Sequence, residues 1–209
     1  NKAGVANMGH PRYIAVSGLL MIGERAIRDD VPTACTNGRD EWYGREFVDS
    51  INDKQLRFVV LHECYHKMYK HLTTWQHLSK KCALTTNKAC DYVINQQIID
   101  DNDDKFVEGI EGMCIDEKYR GWDSQRVFDD IYKESDDDDE EGGDVGGGGQ
   151  QPIDEHDWEG AEGLTDEGQE GLAKEIDEAI RQGAITASKM GTGGERTLTT
   201  LHTIAPIVE

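Results

Sequence analysis

The sequence predicts an α+β domain that is mainly helical and contains one small β-hairpin or sheet. Apolar residues recur at helical spacing in several long segments, and β-prone residues flank the turn dipeptide Asn37-Gly38. A third observation is the pentapeptide His62-Glu63-Cys64-Tyr65-His66, which lies in an apolar, helix-forming run. The chain of 209 residues is long enough to bury one sizeable core.

The first element that the spacing predicts is an amphipathic helix from Pro11 to Arg28, packed on the helix that carries the pentapeptide. Its apolar positions are Ile14, Leu19, Leu20, Ile22 and Ile27. Gly18 and Gly23 either lower the helical propensity of this segment or mark its close contact with another helix.

A β-hairpin is expected next, with strands at Val31–Thr36 and Glu41–Tyr43 joined through Asn37-Gly38. Peptide substrates often bind as an added strand along a free sheet edge. We therefore expect one of these two strands to be such an edge. The alternative is an ordinary hairpin that covers the core.

The helix that carries the pentapeptide has a clear start in the sequence. Asn52 is suited to the N-cap position, and Gln55 three residues later completes a capping box. Apolar residues continue beyond the pentapeptide, so the helix is predicted to run to about His71.

The pentapeptide has the H-E-x-x-H spacing that is typical of zinc hydrolases. Its two histidines lie about 40° apart on one helix face, because successive residues turn by about 100°. Both imidazoles can therefore reach one metal ion, with Glu63 beside it. The pattern predicts His62 and His66 as zinc ligands and Glu63 as the general base. The alternative is a pair of surface histidines on an amphipathic helix.

Asp91 is the expected third ligand. It lies in a predicted helix over about residues 87–99, and a carboxylate on a buried helix face is costly unless it is paired or bound to metal. His71 is the main competitor, but an unbroken helix would point it about 160° away from the other two histidines. Only a helix that ends before His71 could bring it round. His77, or a residue elsewhere, is a further alternative.

Four more residues are candidates for support of the site. Asn95 follows Asp91 by one helical turn and either orients a ligand or caps and packs the helix. Tyr65, Tyr69 and His71 are candidates for stabilising charge in the transition state, and the sequence does not choose among them.

The remaining chain suggests one domain in three parts. Residues 1–134 form the core, which includes a predicted helix at Gln125–Lys133. Residues 135–152 are acidic and glycine-rich and form a mobile insertion, since they have too little apolar surface to fold. Residues 153–209 form a helical extension with a predicted helix at Asp166–Gln182.

Composition narrows the classes of partner and compartment. The net charge of −20 argues against a nucleic acid or an anionic membrane as partner. The five cysteines are odd in number and form no C-x-x-C pair, which favours a reducing cytoplasm. No apolar run is long enough to span a membrane, and no secretory leader is recognisable.

Several segments together resemble one known family. They are Thr33–Gly38, Glu46–Val48, Leu61–His66 with His71, Ala89–Asn95, and Gly121-Trp122 with the helix after it. In this order they resemble the metallopeptidase-like domain that bacteria and phages carry beside a von Willebrand A-like domain. The likeness covers about residues 10–209. Cys90 stands where that family usually has alanine, which is a conservative change in packing.

The resemblance implies a zincin-like domain with a small sheet and one Zn²⁺ ion per chain, held by His62, His66 and Asp91. It implies hydrolysis of peptide bonds in a peptide or protein substrate. It also implies a von Willebrand A-like half after residue 209 and an AAA+ ATPase as a possible partner. One alternative is a catalytically silent, zinc-stabilised binding or scaffold module, which would have no use for Glu63. Another is a zymogen-like protease whose cleft the acidic segment covers.

Overall fold

The computed structural model describes residues 2–136 and 150–191. Its α-helices, in chain order, are α1 (Lys2–Gly9), α2 (Arg45–Ser50), α3 (Asp53–Met68), α4 (His71–Thr74), α5 (Gln76–Ser79), α6 (Ala83–Asp100), α7 (Ser124–Asp136), α8 (Trp158–Glu162) and α9 (Asp166–Lys189). Its strands are β1 (Arg25–Arg28), β2 (Ala34–Thr36), β3 (Glu41–Gly44) and β4 (Glu155–His156). The predicted α+β class, mainly helical with a small sheet, is confirmed.

Helix α3 is the centre of the fold. Asn52 accepts hydrogen bonds from the backbone N–H groups of Lys54 and Gln55, and the Gln55 side chain accepts from the Asn52 N–H, which confirms the predicted capping box. Every residue from Phe58 to Met68 is buried, as expected of a helix that is enclosed on all sides. The helix ends at Met68, earlier than predicted.

The other long helices pack around α3 in two layers of apolar contact. Helix α6 packs on both α3 and α7. Helix α9 crosses the segment near Ala15 so closely that a Cβ atom on Gly183 would lie 1.8 Å from the Ala15 carbonyl oxygen. Helices α6, α7 and α9 confirm the predicted helical segments, each with somewhat wider bounds.

The sheet is small and mixed, with the strand order β1-β3-β2-β4. Strands β2 and β3 form the predicted antiparallel hairpin, whereas β1 pairs with β3 and β4 pairs with β2 in parallel. The hairpin loop covers residues 37–40, where Asn37 Oδ1 accepts hydrogen bonds from the N–H groups of Arg39 and Asp40. Thr36 of β2 faces Glu41 of β3 across the loop.

The expectation that a hairpin strand forms a free edge is wrong. Strands β2 and β3 both lie inside the sheet, and the outer positions belong to β1 and β4. The outer strands β1 and β4 each pair in parallel with one strand of the hairpin. Parallel pairing joins segments that a tight turn does not connect, so the hairpin pattern does not predict it.

The predicted helix Pro11–Arg28 is also wrong. The segment forms two short 3₁₀ turns, Ile14–Val16 and Leu19–Met21, and then enters β1. Gly23 separates the turns from the strand at a φ of +77°, where a Cβ atom would lie 1.9 Å from the Arg39 carbonyl oxygen. Only glycine fits this bend, so the helical spacing of the apolar residues does not continue as a helix.

Two predicted features lie largely outside the described residues. They are the acidic insertion at 135–152, of which residues 137–149 are not described, and the last part of the 153–209 extension, from residue 192 onward. Within the described ranges, no helix has both the length and the apolar character required to cross a bilayer.

Candidate metal centre

Four buried side chains bring possible metal ligands together beside α3. His62 Nε2 and His66 Nε2 lie 3.1 Å apart. Asp91 Oδ1 lies 3.6 Å from the first of these atoms and 3.5 Å from the second. Asp154 Oδ1 is 3.4 Å from His62 Nε2, and its Oδ2 is 3.9 Å from His66 Nε2. We call these four residues the metal cluster.

The spacing within the metal cluster suits one small ion. In a tetrahedral zinc site with bonds of about 2.0–2.2 Å, neighbouring ligand atoms are about 3.3–3.6 Å apart. The two histidine nitrogens lie 3.1 Å from each other and 3.4 to 3.9 Å from the carboxyl oxygens, and the ligand atoms of all four residues lie within 4.8 Å of one another. None of the four side chains has exposed surface, so the site is enclosed by protein.

Hydrogen bonds fix the orientation of two members of the cluster. His62 Nδ1 lies 2.8 Å from Asn95 Oδ1, and the Asn95 amide donates to the Cys114 carbonyl oxygen at 3.0 Å. The Ile153 N–H donates to Asp91 Oδ2 at 3.2 Å, so that Oδ1 is the oxygen that faces the histidines. Asn95 therefore contacts a cluster imidazole, one helical turn after Asp91 on α6.

The far nitrogen of His66 lies between two further histidines. His66 Nδ1 is 2.9 Å from His156 Nε2 and 3.0 Å from His71 Nδ1. His71 reaches this position because α3 ends at Met68 and Lys70 adopts the left-handed conformation, with a φ of 53°. The break turns His71 back toward the helix face, but it places His71 beside His66 rather than among the four cluster ligands.

Glu63 is fully buried, and neither of its carboxyl oxygens has a hydrogen-bond partner. Burial raises the pKa of this carboxyl well above its ordinary value, and the negative charges of Asp154, Glu41 and Asp91 raise it further. Such a group holds a proton more readily than an exposed carboxyl group does.

The ionisable groups of the cluster influence one another strongly. Burial raises the pKa of Asp91 well above its ordinary value, and Asp154 adds to the shift. Burial acts to lower the pKa of His62, but Asp91 and Asp154 outweigh it and the pKa is raised. Burial lowers the pKa of His66 well below its usual range and that of His71 to about 3, with neighbouring histidines adding to both shifts. His66 and His71 are therefore neutral imidazoles near neutral pH.

The donor atoms of this site fit a bound cation. Five carboxyl oxygens of Asp91, Asp154 and Glu63 are buried without a hydrogen-bond partner. Carboxylates in such a position are stable when they are paired or coordinate a metal. The imidazole and carboxylate donors are ligand types that zinc accepts. A divalent ion at the metal cluster would supply the positive charge that these oxygens require.

A family model described as a "putative metallopeptidase domain" matches residues 2–197. The chain belongs to this family. No curated protein sequence and no solved structure matches the chain. Membership of a metallopeptidase family agrees with a metal site formed by histidines and carboxylates.

Three of the predicted residues in this metallopeptidase-family domain, Tyr65, Tyr69 and His77, contact residues outside the metal cluster. Tyr65 is buried and packs edge-on against Tyr69, with ring centroids 6.4 Å apart. The Tyr69 hydroxyl donates to the Gln97 side chain. His77 is exposed and lies 3.1 Å from Gln125 Oε1. Of the predicted ligands, His62, His66 and Asp91 are brought together, and the predicted base Glu63 is buried directly after His62 on α3.

Asp154 and His156 were not among the residues predicted from the sequence. Both lie directly after the acidic, glycine-rich segment, where one more aspartate does not stand out. The spacing of Asp154 and His156 could have indicated that both face the core, because residues two apart in an extended segment point to the same side. The buried Ile153 beside them also indicates that the chain has returned to the core.

Proposed function

We propose that this domain is a zinc-dependent peptidase that hydrolyses peptide bonds in a peptide or protein substrate. His62, His66 and Asp91 would hold the zinc ion, and Glu63 would act as the general base. The observation that carries the proposal is the buried carboxyl group of Glu63, which has no hydrogen-bond partner and lies next to the histidines of the metal cluster.

The chain's own residues account for the proton transfers of such a reaction. Bound zinc would supply Lewis acidity toward the peptide carbonyl and lower the pKa of water. Glu63 takes a proton from the attacking water and returns it to the leaving amine, a role that its raised pKa favours.

The neighbours of His62 and His66 fit the tautomers that metal binding through Nε2 would require. The His62 Nδ1–H donates to Asn95 Oδ1, so the lone pair of Nε2 faces the cluster. His66 Nδ1 lies 2.9 Å from His156 Nε2 and 3.0 Å from His71 Nδ1, and a proton on His66 Nδ1 would leave its Nε2 free for the ion.

The proposal also includes the finer expectations from the sequence. These are a zincin-like arrangement around α3 and a von Willebrand A-like domain or an AAA+ ATPase as partner. They also include the division into core, insertion and extension at residues 1–134, 135–152 and 153–209. A reducing cytoplasm is supported by the cysteines, all five of which are free thiols.

A second candidate function is a zinc-stabilised binding or scaffold module without turnover. The observation that favours it is the complete burial of the metal cluster, with Asp154 present as a fourth ligand. Structural zinc sites are closed by four protein ligands in this way.

Glu63→Gln separates the two candidates. We expect wild type and Glu63→Gln to retain about one zinc per chain by mass spectrometry, whereas His62→Ala and Asp91→Ala lose it and His71→Ala keeps it. For an enzyme, kcat on fluorescently labelled casein should fall about 10²–10⁴-fold in Glu63→Gln, because the general base is lost.

Glu46→Gln is the matched control, since it makes the same chemical change on an exposed side chain. It should hydrolyse casein at the wild-type rate. A zinc-loaded wild type without activity, or with activity that Glu63→Gln shares, would favour the binding module.

A further inference from the structure

The two aspartates of the metal cluster are held in different ways. Asp91 lies within α6, and its Oδ2 accepts a hydrogen bond from the Ile153 N–H. Asp154 lies just before the two-residue strand β4, and neither of its oxygens is in hydrogen-bonding geometry with a donor. The nearest donor atom, His62 Nε2, is 3.4 Å away and faces the place of the ion. Asp91 is thus held by a backbone hydrogen bond from a distant part of the chain, whereas Asp154 contacts imidazoles, including His156 Nε2 at 3.5 Å within its own segment.

Asp154 completes a set of four protein ligands. Catalytic zinc sites use three protein ligands and leave a position for water or substrate, whereas four ligands close the site. His62, His66 and Asp91 already provide the three that hydrolysis requires. With four protein ligands, the carboxylate of Asp154 would take the position that hydrolysis requires for water or substrate.

The strand that follows Asp154 covers a sheet edge that could receive a peptide. Glu155 pairs with Cys35 and His156 pairs with Thr36, so β4 lies along β2. This pairing is short and is extended only by the Asp157 N–H, which donates to the Thr36 carbonyl oxygen at 3.0 Å. An extended peptide can form the same kind of backbone hydrogen bonds along an open strand.

The ends of this segment are fixed, which limits what can move. On one side, Ile153 is buried in the core. On the other, Trp158 is buried and its indole N–H donates to Asn87 Oδ1 at 2.9 Å. The Glu155 side chain between them is exposed. His156 is buried and its Nε2 lies 2.9 Å from His66 Nδ1, so an outward movement of β4 would also release this contact. A two-residue strand forms few backbone hydrogen bonds, and such elements are among the parts of a protein that open locally.

We propose that Asp154 is a displaceable fourth ligand, which closes the metal site in the resting protein and withdraws when an extended peptide replaces β4 along β2. The inference rests on the proposed peptidase function. One movement then opens the metal site and frees the strand edge together, because Asp154 directly precedes β4. Asp91 stays in place, since its anchor on Ile153 lies outside the part that moves.

Cobalt-substituted protein tests the inference, because the absorption spectrum of Co²⁺ reports its coordination. Acetohydroxamate, a small metal-binding molecule, serves as the probe for an open position. We expect Asp154→Ala to retain one cobalt per chain and to bind acetohydroxamate at least about 10-fold more tightly than wild type, a difference of about 1.4 kcal/mol. Hydrolysis of labelled casein by the zinc form should rise in the same variant.

Glu155→Gln is the matched control, because it removes a neighbouring carboxylate whose side chain is exposed. It should bind the probe as wild type does. Asp154→Asn, which preserves the side-chain volume, replaces Asp154→Ala if circular dichroism shows that the alanine variant does not fold.

Two outcomes would overturn the inference. If Asp154→Ala or Asp154→Asn loses cobalt as completely as Asp91→Ala, then Asp154 is a permanent structural ligand. If the Asp154 variants bind acetohydroxamate no more tightly than wild type, then Asp154 does not close the site. A gain in probe binding without hydrolysis in any variant would support the displaceable ligand and count against the peptidase function.

Discussion

Helix α3 takes part in two buried polar clusters that differ in their balance of charge. The first consists of the metal cluster together with Glu63, and it contains three carboxyl groups beside histidines. In the second, which we call the ion-pair cluster, Glu41 accepts hydrogen bonds or ion-pair contacts from Lys67, Arg25 and Tyr43. Both Glu41 and Lys67 are completely buried, as the metal cluster is.

The difference shows that burial alone does not distinguish a structural polar cluster from a functional one. His66 and Lys67 are consecutive residues of α3 and are equally buried. The carboxylate of Glu41 is matched by two cationic side chains of the protein. The three carboxyl groups of Asp91, Asp154 and Glu63 face no lysine or arginine in this way, and five of their oxygens have no hydrogen-bond partner, so a bound cation would complete their charge balance.

The largest expected effect comes from breaking the ion-pair cluster. Lys67→Met should lower the free energy of unfolding by about 3 kcal/mol, because removing one partner of a buried ion pair typically costs about 3–5 kcal/mol. We expect the lower end of this energy range, since Arg25 and Tyr43 still contact Glu41 in the variant. Urea denaturation of the zinc-loaded protein measures the change.

Lys70→Met is the control for this substitution. Lys70 forms an ion pair with Asp177 at 2.7 Å on the surface, and such pairs contribute about 0–1 kcal/mol. Equal losses of stability in Lys67→Met and Lys70→Met would show that the ion-pair cluster contributes no more than a surface contact.

A smaller effect is expected from the support of the metal cluster. Asn95→Ala should weaken zinc binding about 10–100-fold, because Asn95 orients the His62 imidazole through its 2.8 Å hydrogen bond. Competition with a chelator measures the affinity. Gln96→Ala, which removes the side-chain hydrogen bond from Gln96 to Asp100 on the same helix, should leave metal affinity unchanged. An equal loss in both variants would show a general weakening of α6 instead.

The smallest effect concerns pH and the ion-pair cluster. Burial acts to raise the pKa of Glu41, but Lys67 and Arg25 outweigh it and hold the pKa below its ordinary value. Because the folded pKa is lower than the value of about 4.3 in the unfolded chain, the stabilisation is complete above that pH and is lost below it. Tyr43 and Glu63 also face this carboxylate and remain uncharged near that pH, since the pKa of each is raised well above its ordinary value.

Denaturation at a series of pH values checks this expectation. Below pH of about 4.3, stability should fall more steeply in wild type than in Glu41→Gln, which has no carboxyl group to protonate at this position. Parallel curves would mean that Glu41 does not contribute to the acid sensitivity of the fold.

The parts of the fold that depend on nearby residues were predictable from the sequence. The capping box of Asn52 and Gln55 fixes the start of α3, and the H-E-x-x-H spacing places three site residues on one helix face. Asp91 was predicted because a carboxylate is costly on a buried helix. The hairpin of β2 and β3 was predicted from a local turn.

The parts that depend on distant contacts were not predictable in the same way. The parallel pairing of β1 with β3 and the bend at Gly23 depend on where Arg39 lies in space. His156 meets His66 across 90 positions of the chain. His71 lies beside His66 because the helix breaks at Lys70, which has a positive φ. A lysine in the sequence does not indicate such a break.

The order of the ligands along the chain has a consequence for synthesis. His62, His66 and Asp91 all precede residue 100, whereas Asp154 follows Ile153, which lies 62 positions after Asp91. At about 5–20 residues per second, the ribosome makes the first three ligands about 3–12 s before the fourth. If these residues hold the ion as proposed, a nascent chain would offer a three-ligand site before Asp154 is made, and we expect it to take up the ion at that stage.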